Sequence, residues 1–96
     1  MIISFKDKTT EDIFNGISST KSRKLPINII KIAERKLDQL NAAIDLIDMK
    51  TPPGNYLEKL QDDLKGYYSI RINDQFRIIF QWKNNDAYNV LITDYH

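Results

Sequence analysis

Cysteine is absent from this chain, and histidine occurs once, as the last residue, His96. Without thiols there is no disulfide, no thiolate nucleophile and no cysteine-based zinc site. A single imidazole supplies too few nitrogen ligands for a transition-metal catalytic centre, so no metal and no other cofactor is expected. Long apolar runs are missing as well. Nothing approaches the roughly 20 residues that a helix needs to cross a bilayer, so no membrane partner is expected. Met1-Ile2-Ile3-Ser4-Phe5 has no charged stretch ahead of a long apolar one, so a secretory signal is not expected and a cytoplasmic location is. Net charge is nearly absent too, with 14 Lys and Arg against 13 Asp and Glu.

What is present fits one domain over residues 1–96 with one modest core. The charges are unevenly spread. Residues 17–36 carry Lys21, Arg23, Lys24, Lys31, Arg35 and Lys36 against Glu34 alone, whereas residues 37–64 are mainly acidic. Such asymmetry can present a basic face to a polyanion; an ordinary mixed surface is the other reading. Residues 2–5 read as a short strand, and Thr9-Thr10-Glu11-Asp12 as the capped start of a short helix that ends before Gly16. Pro26 suits the first turn of a second helix over residues 26–46, in which Ile30, Ala33, Leu37, Leu40 and Ile44 form one apolar stripe. Pro52-Pro53-Gly54-Asn55 is the strong breaker, and beyond it the apolar period changes to two. Helices first and strands afterwards predict an α+β fold.

The two strands after the breaker determine a register. Tyr68, Ile70 and Ile72 share one face, as do Phe76, Ile78, Phe80 and Trp82. Directly opposed residues of an antiparallel hairpin project to the same side. One core for both faces therefore requires Ile72 opposite Phe76 and Ile70 opposite Ile78, across the odd loop Asn73-Asp74-Gln75. The same register sets Arg71 opposite Arg77 on the other face. Like charges so opposed repel, and an anion between them relieves the repulsion. Two sources stay open: an internal carboxylate from Glu58, Asp74 or Asp94, or a ligand phosphate gripped by paired guanidiniums. A third strand over residues 88–93 puts Val90 and Ile92 on the core side, with Leu91, Thr93 and Tyr95 on the arginine side. Parity then places Asp94 and His96 on the wrong side for a shared site, unless the chain turns after Thr93. By itself His96 reads either as a solvated tail or as a proton donor, since imidazole titrates near neutrality.

Taken together, Ala33-Glu34-Arg35-Lys36-Leu37, Pro52-Pro53-Gly54-Asn55, Leu57-Glu58, Tyr68-Ser69-Ile70-Arg71, Asn73-Asp74-Gln75-Phe76-Arg77, Phe80-Gln81-Trp82 and Asp94-Tyr95-His96 resemble the HigB toxin family of the RelE/ParE superfamily. The resemblance spans essentially the whole chain. It implies two N-terminal helices packed on a small, mostly antiparallel sheet. It also implies a metal-independent endoribonuclease that cuts mRNA in the 70S ribosome. The partner implied is a HigA-type helix-turn-helix antitoxin, with operator DNA bound only through that complex. The family's C-terminal Asp, Tyr and His fall on Asp94, Tyr95 and His96, and its sheet arginine on Arg77. One departure is that Glu58 stands where some members carry a second active-site histidine.

Cleavage by a neighbouring 2′-hydroxyl needs a base, cations for the phosphorane charge and an acid for the leaving oxygen. The expected assignment is Glu58 as base, Arg71 and Arg77 as cations, and His96 as acid. Asp94 orients His96, and Tyr95 stacks on a nucleotide. Lys21, Arg23, Lys24, Lys31 and Arg35 are expected to grip ribosomal RNA phosphates. The competing readings are a non-catalytic toxin that binds a protein target, gyrase in ParE-like relatives, and a corepressor that acts only with its antitoxin.

Overall fold

The computed structural model describes residues 1–94. Helix α1 (Lys8–Phe14) starts two residues earlier than the Thr9-Thr10 pattern predicts, because the Asp7 side chain caps it by accepting the Thr10 N–H at 2.8 Å. Helix α2 (Ile27–Ala42) follows Pro26 and buries Ile29, Ala33, Lys36, Leu37 and Leu40 on one side. It stops short of the predicted Leu46. Asp48 accepts the backbone N–H groups of Ile44 and Asp45, both at 3.1 Å, and turns the chain into a separate 3₁₀ segment, Leu46–Lys50. Ile44 therefore leaves the stripe and is 79% exposed.

Four strands follow in the order β1 (Glu58–Lys59), β2 (Tyr67–Arg71), β3 (Phe76–Lys83) and β4 (Asp86–Asp94), each antiparallel to its neighbour. β1 is an edge of two residues, too short for its period to be read from the sequence. The hairpin register is the one parity requires: Ile70 pairs with Ile78, Arg71 with Arg77, and the Ile72 N–H donates to the Phe76 carbonyl at 2.9 Å. Asn84 and Asn85 turn β3 into β4 with φ of 54° and 63°, the left-handed pair of a two-residue hairpin. Residues 2–5 do not form a full strand. They lie parallel along β4 through the bridges Ile2–Ala87 and Phe5–Val90. The Ile92 N–H donates at 3.0 Å to the Thr10 hydroxyl, so the N-terminal segment and α1 together cover the outer edge of β4.

α1 and α2 pack on one face of the sheet. Ile13, Ala33, Leu37 and Leu40 meet Ile70, Ile78, Phe80, Ala87 and Val90 there in one buried core. The sheet's other face carries Glu58, Ser69, Arg71, Arg77 and Ile79. No helix among the described residues is long and apolar enough to cross a membrane.

Candidate active site

Strand pairing brings three of the predicted residues onto the face away from the helices. Glu58 on β1 opposes Ser69 on β2, and Arg71, two residues on, opposes Arg77 on β3. Thr93 on β4 opposes Arg77 in turn. Glu58, Ser69, Arg71, Arg77 and Thr93 therefore share one side of the sheet.

The repulsion between the two guanidiniums is relieved from within. Arg71 forms an ion pair with Asp74 of the hairpin loop. Arg77 Nη2 lies 3.7 Å from Glu58 Oε1, and its Nη1 donates to the buried Ser69 hydroxyl at 3.3 Å. Two of the three carboxylates weighed from sequence are thus in use. Both pairs are soft. The Asp74 side chain is 94% exposed and that of Glu58 is 50% exposed. Exposed ion pairs of this kind contribute about 0–1 kcal/mol, so both carboxylates are weakly held. Arg77, with its side chain 17% exposed, is the better buried of the two arginines.

Asp94 is not part of this cluster. β4 continues through Asp94, which pairs with Phe76 on the helix side, and the Gln75 side-chain amide donates to its carboxylate at 2.9 Å. Through Asp94 the strand makes no turn, because pairing with Phe76 and the Gln75 hydrogen bond keep that residue in the sheet. Tyr95 and His96, to which the sequence assigns a nucleotide contact and the acid, lie outside the described residues. The basic candidates belong to the helical layer instead. Lys21, Arg23 and Lys24 are exposed at a 3₁₀ turn between the helices, and Lys31 and Arg35 are exposed on α2.

Sequence reading missed a second group that borders the arginines. Lys36 is only 8% exposed on α2 and donates its ammonium to the side-chain oxygen of Asn55, which is fully buried. Burial lowers the Lys36 pKa from its ordinary value, and the positive charges of Arg35 and Arg71 lower it further. Tyr56, next along the chain, places its ring 5.4 Å from the Arg71 guanidinium. A signal for Lys36 was available. It lies between Ala33, Leu37 and Leu40 on the buried stripe, where an unpartnered lysine is costly.

Comparison with known proteins fits this architecture. The chain superposes on a structure titled "YoeB-YefM complex from Staphylococcus aureus" with a TM-score of 0.58 at 17% identity, covering 100% of this chain and 98% of that one. Two helices on a four-stranded antiparallel sheet are accordingly the RelE-like toxin fold. Two curated proteins are similar in sequence. Toxin HigB-1 of Vibrio cholerae serotype O1 is 40% identical over 92 residues, 96% of this chain and 95% of that protein. Endoribonuclease HigB of Proteus vulgaris is 32% identical over 103 residues, spanning all of both chains. The family described as "RelE-like toxin of type II toxin-antitoxin system HigB" matches residues 3–96, and the chain belongs to that family of HigB-like toxins.

Proposed function

We propose that this chain is an endoribonuclease, one toxin domain that cleaves mRNA on translating ribosomes without a metal and so arrests translation. The observation that carries the reading is the opposed pair Arg71–Arg77, with Glu58 beside Arg77 on the same face. The kinship to a protein named Endoribonuclease HigB supports it.

In the proposed reaction the RNA phosphate displaces the soft carboxylate partners and takes both guanidiniums. Glu58 then receives the proton of the neighbouring 2′-hydroxyl. The 2′-oxygen attacks phosphorus, and charge gathers on the non-bridging oxygens, where Arg71 and Arg77 offset it. The bond to the 5′-oxygen breaks as His96 donates a proton to it, leaving a 2′,3′-cyclic phosphate and a free 5′-hydroxyl. Asp94 serves as the charge partner of His96, and Tyr95 contacts a nucleotide. Lys21, Arg23, Lys24, Lys31 and Arg35 add sequence-independent contacts to ribosomal RNA phosphates. A HigA-type helix-turn-helix antitoxin holds the toxin inactive, operator DNA being bound by the complex, and both act in the cytoplasm.

The test is end-group analysis of mRNA incubated with purified protein, with and without 70S ribosomes. Cleavage that appears only with ribosomes and leaves 2′,3′-cyclic phosphate and 5′-hydroxyl ends, the products of 2′-hydroxyl attack, is expected. Growth arrest in cells without any cut mRNA overturns the reading in favour of a protein-binding toxin, which needs the surface but no acid and base.

A further inference from the structure

Tyr56 is an aromatic residue in a conformation that L-residues rarely adopt, with φ 46° and ψ 56°. A residue stays in that region only when its surroundings over-determine it. They do so here. The preceding Asn55 is completely buried, and its side chain joins three segments. Its oxygen accepts from Lys36 of α2, while its amide donates to the carbonyls of Met49 at 3.1 Å and Thr51 at 3.2 Å and to the side chain of Gln39 at 3.4 Å. The Tyr56 N–H donates to the Pro53 carbonyl at 3.1 Å.

This scaffold does not bury the ring it positions. Leu57 packs against the core, but Tyr56 remains 56% exposed, resting on the Arg71 guanidinium at 5.4 Å. Arg71 in turn opposes Arg77, and Glu58 follows Tyr56 by two residues. A strained, exposed aromatic ring, backed by one of the two phosphate-site cations, has the makeup of a surface on which flat unsaturated rings stack. Nucleobases stack on aromatic side chains and on arginine planes, and such stacking is tolerant of base identity.

We propose that Tyr56, backed by Arg71, is a stacking platform for an RNA base beside the scissile phosphate, with Lys36 and Asn55 fixing its position. The proposal rests on the reading of the arginine face as an RNA-cleaving site. It adds a substrate-binding residue to that site and assigns the buried Lys36–Asn55 pair a purpose, that of holding the ring outward.

The experiment measures cleavage of a defined mRNA on programmed 70S ribosomes by the parent chain and by Tyr56→Leu, Tyr56→Phe and Tyr56→Trp, each checked by thermal melting. Tyr56→Leu keeps bulk without an aromatic face, and it should raise KM about tenfold while kcat is retained. Tyr56→Phe and Tyr56→Trp keep a ring and should restore KM to near the parent value. An unchanged KM in Tyr56→Leu, with the parent cleaving normally, overturns the platform and leaves the endoribonuclease reading standing. Equal impairment of Tyr56→Leu and Tyr56→Phe assigns the effect to the hydroxyl and also overturns it. Absence of cleavage by the parent overturns the enzymatic reading and this inference with it. If Tyr56→Leu does not fold, the ring-bearing variants decide: a tenfold rise in KM for Tyr56→Trp and Tyr56→Phe contradicts the platform.

Discussion

On the helix side of the sheet, Ile70, Ile78, Phe80 and Val90 are completely buried against Ala33, Leu37 and Leu40. On the other side, one residue along from Ile70 and Ile78, Arg71 and Arg77 are half-buried and form ion pairs with the exposed carboxylates of Asp74 and Glu58. Burying an aliphatic or aromatic side chain contributes roughly 1.5–3 kcal/mol, against about 0–1 kcal/mol for an exposed ion pair. The first face therefore holds the fold together, and the second is free to exchange partners. With the proposed function, stability and chemistry are separated across one sheet thickness, and substitutions on the two faces should have opposite signatures.

Substitutions on each face test that separation. The largest effect on stability belongs to Phe80→Ala, which removes the largest fully buried side chain among the described residues and should cost about 3–5 kcal/mol in chemical denaturation, with cleavage failing only in step with folding. Glu58→Gln should do the reverse. Cleavage should fall by at least about 100-fold, as expected for loss of a general base. The unfolding free energy should move by less than about 1 kcal/mol, since the lost ion pair is exposed. Full-speed cleavage by that variant would reduce Glu58 to a partner for Arg77.

Lys36→Met tests the border between the faces. It leaves the buried Asn55 oxygen without its ammonium donor, which should cost about 1–3 kcal/mol. Its pH dependence has a definite sign. The folded-state pKa of Lys36 lies below 10.5, chiefly through burial, so between the two values the unfolded chain binds a proton that the folded chain has released. The cost of burying the charge is present below that window and is lifted as pH rises through it. The parent should therefore gain stability relative to Lys36→Met as pH rises through that window, which melting curves in the alkaline range will show. Smallest of all, Ile44→Lys should change stability by no more than about 0.5 kcal/mol, because Ile44 is 79% exposed beyond the end of α2.

Much of this contrast is legible before folding, for a physical reason. A period of two and a shared core leave one register for the β2–β3 hairpin, and that register alone opposes Arg71 to Arg77. Parity also anticipates that Asp94 faces away from the arginines, and the strand keeps it there. The end of α2 is misread because Ile44 continues the apolar stripe, while the break depends on Asp48 hydrogen-bonding back to the Ile44 and Asp45 N–H groups. Likewise, the capping residue of α1 is Asp7, not Thr9, since capping depends on which oxygen reaches the Thr10 N–H. Periodicity puts Lys36 on the buried stripe but does not show its partner, because Asn55 lies 19 positions along the chain. A two-residue β1 carries no period at all, so the pairing that seats Glu58 beside Arg77 emerges only from the fold.

Arg77 is proposed to act in chemistry and not in folding, and Arg77→Ala measures this directly when cleavage and thermal unfolding are followed on the same preparation. Loss of one charge-stabilising donor should lower the cleavage rate about 10²–10³-fold. The same variant should melt within a few degrees of the parent, as expected for a change of about 1 kcal/mol in a domain of this size. A variant that loses stability and cleavage in proportion, or that keeps both, contradicts the division of labour between the two faces.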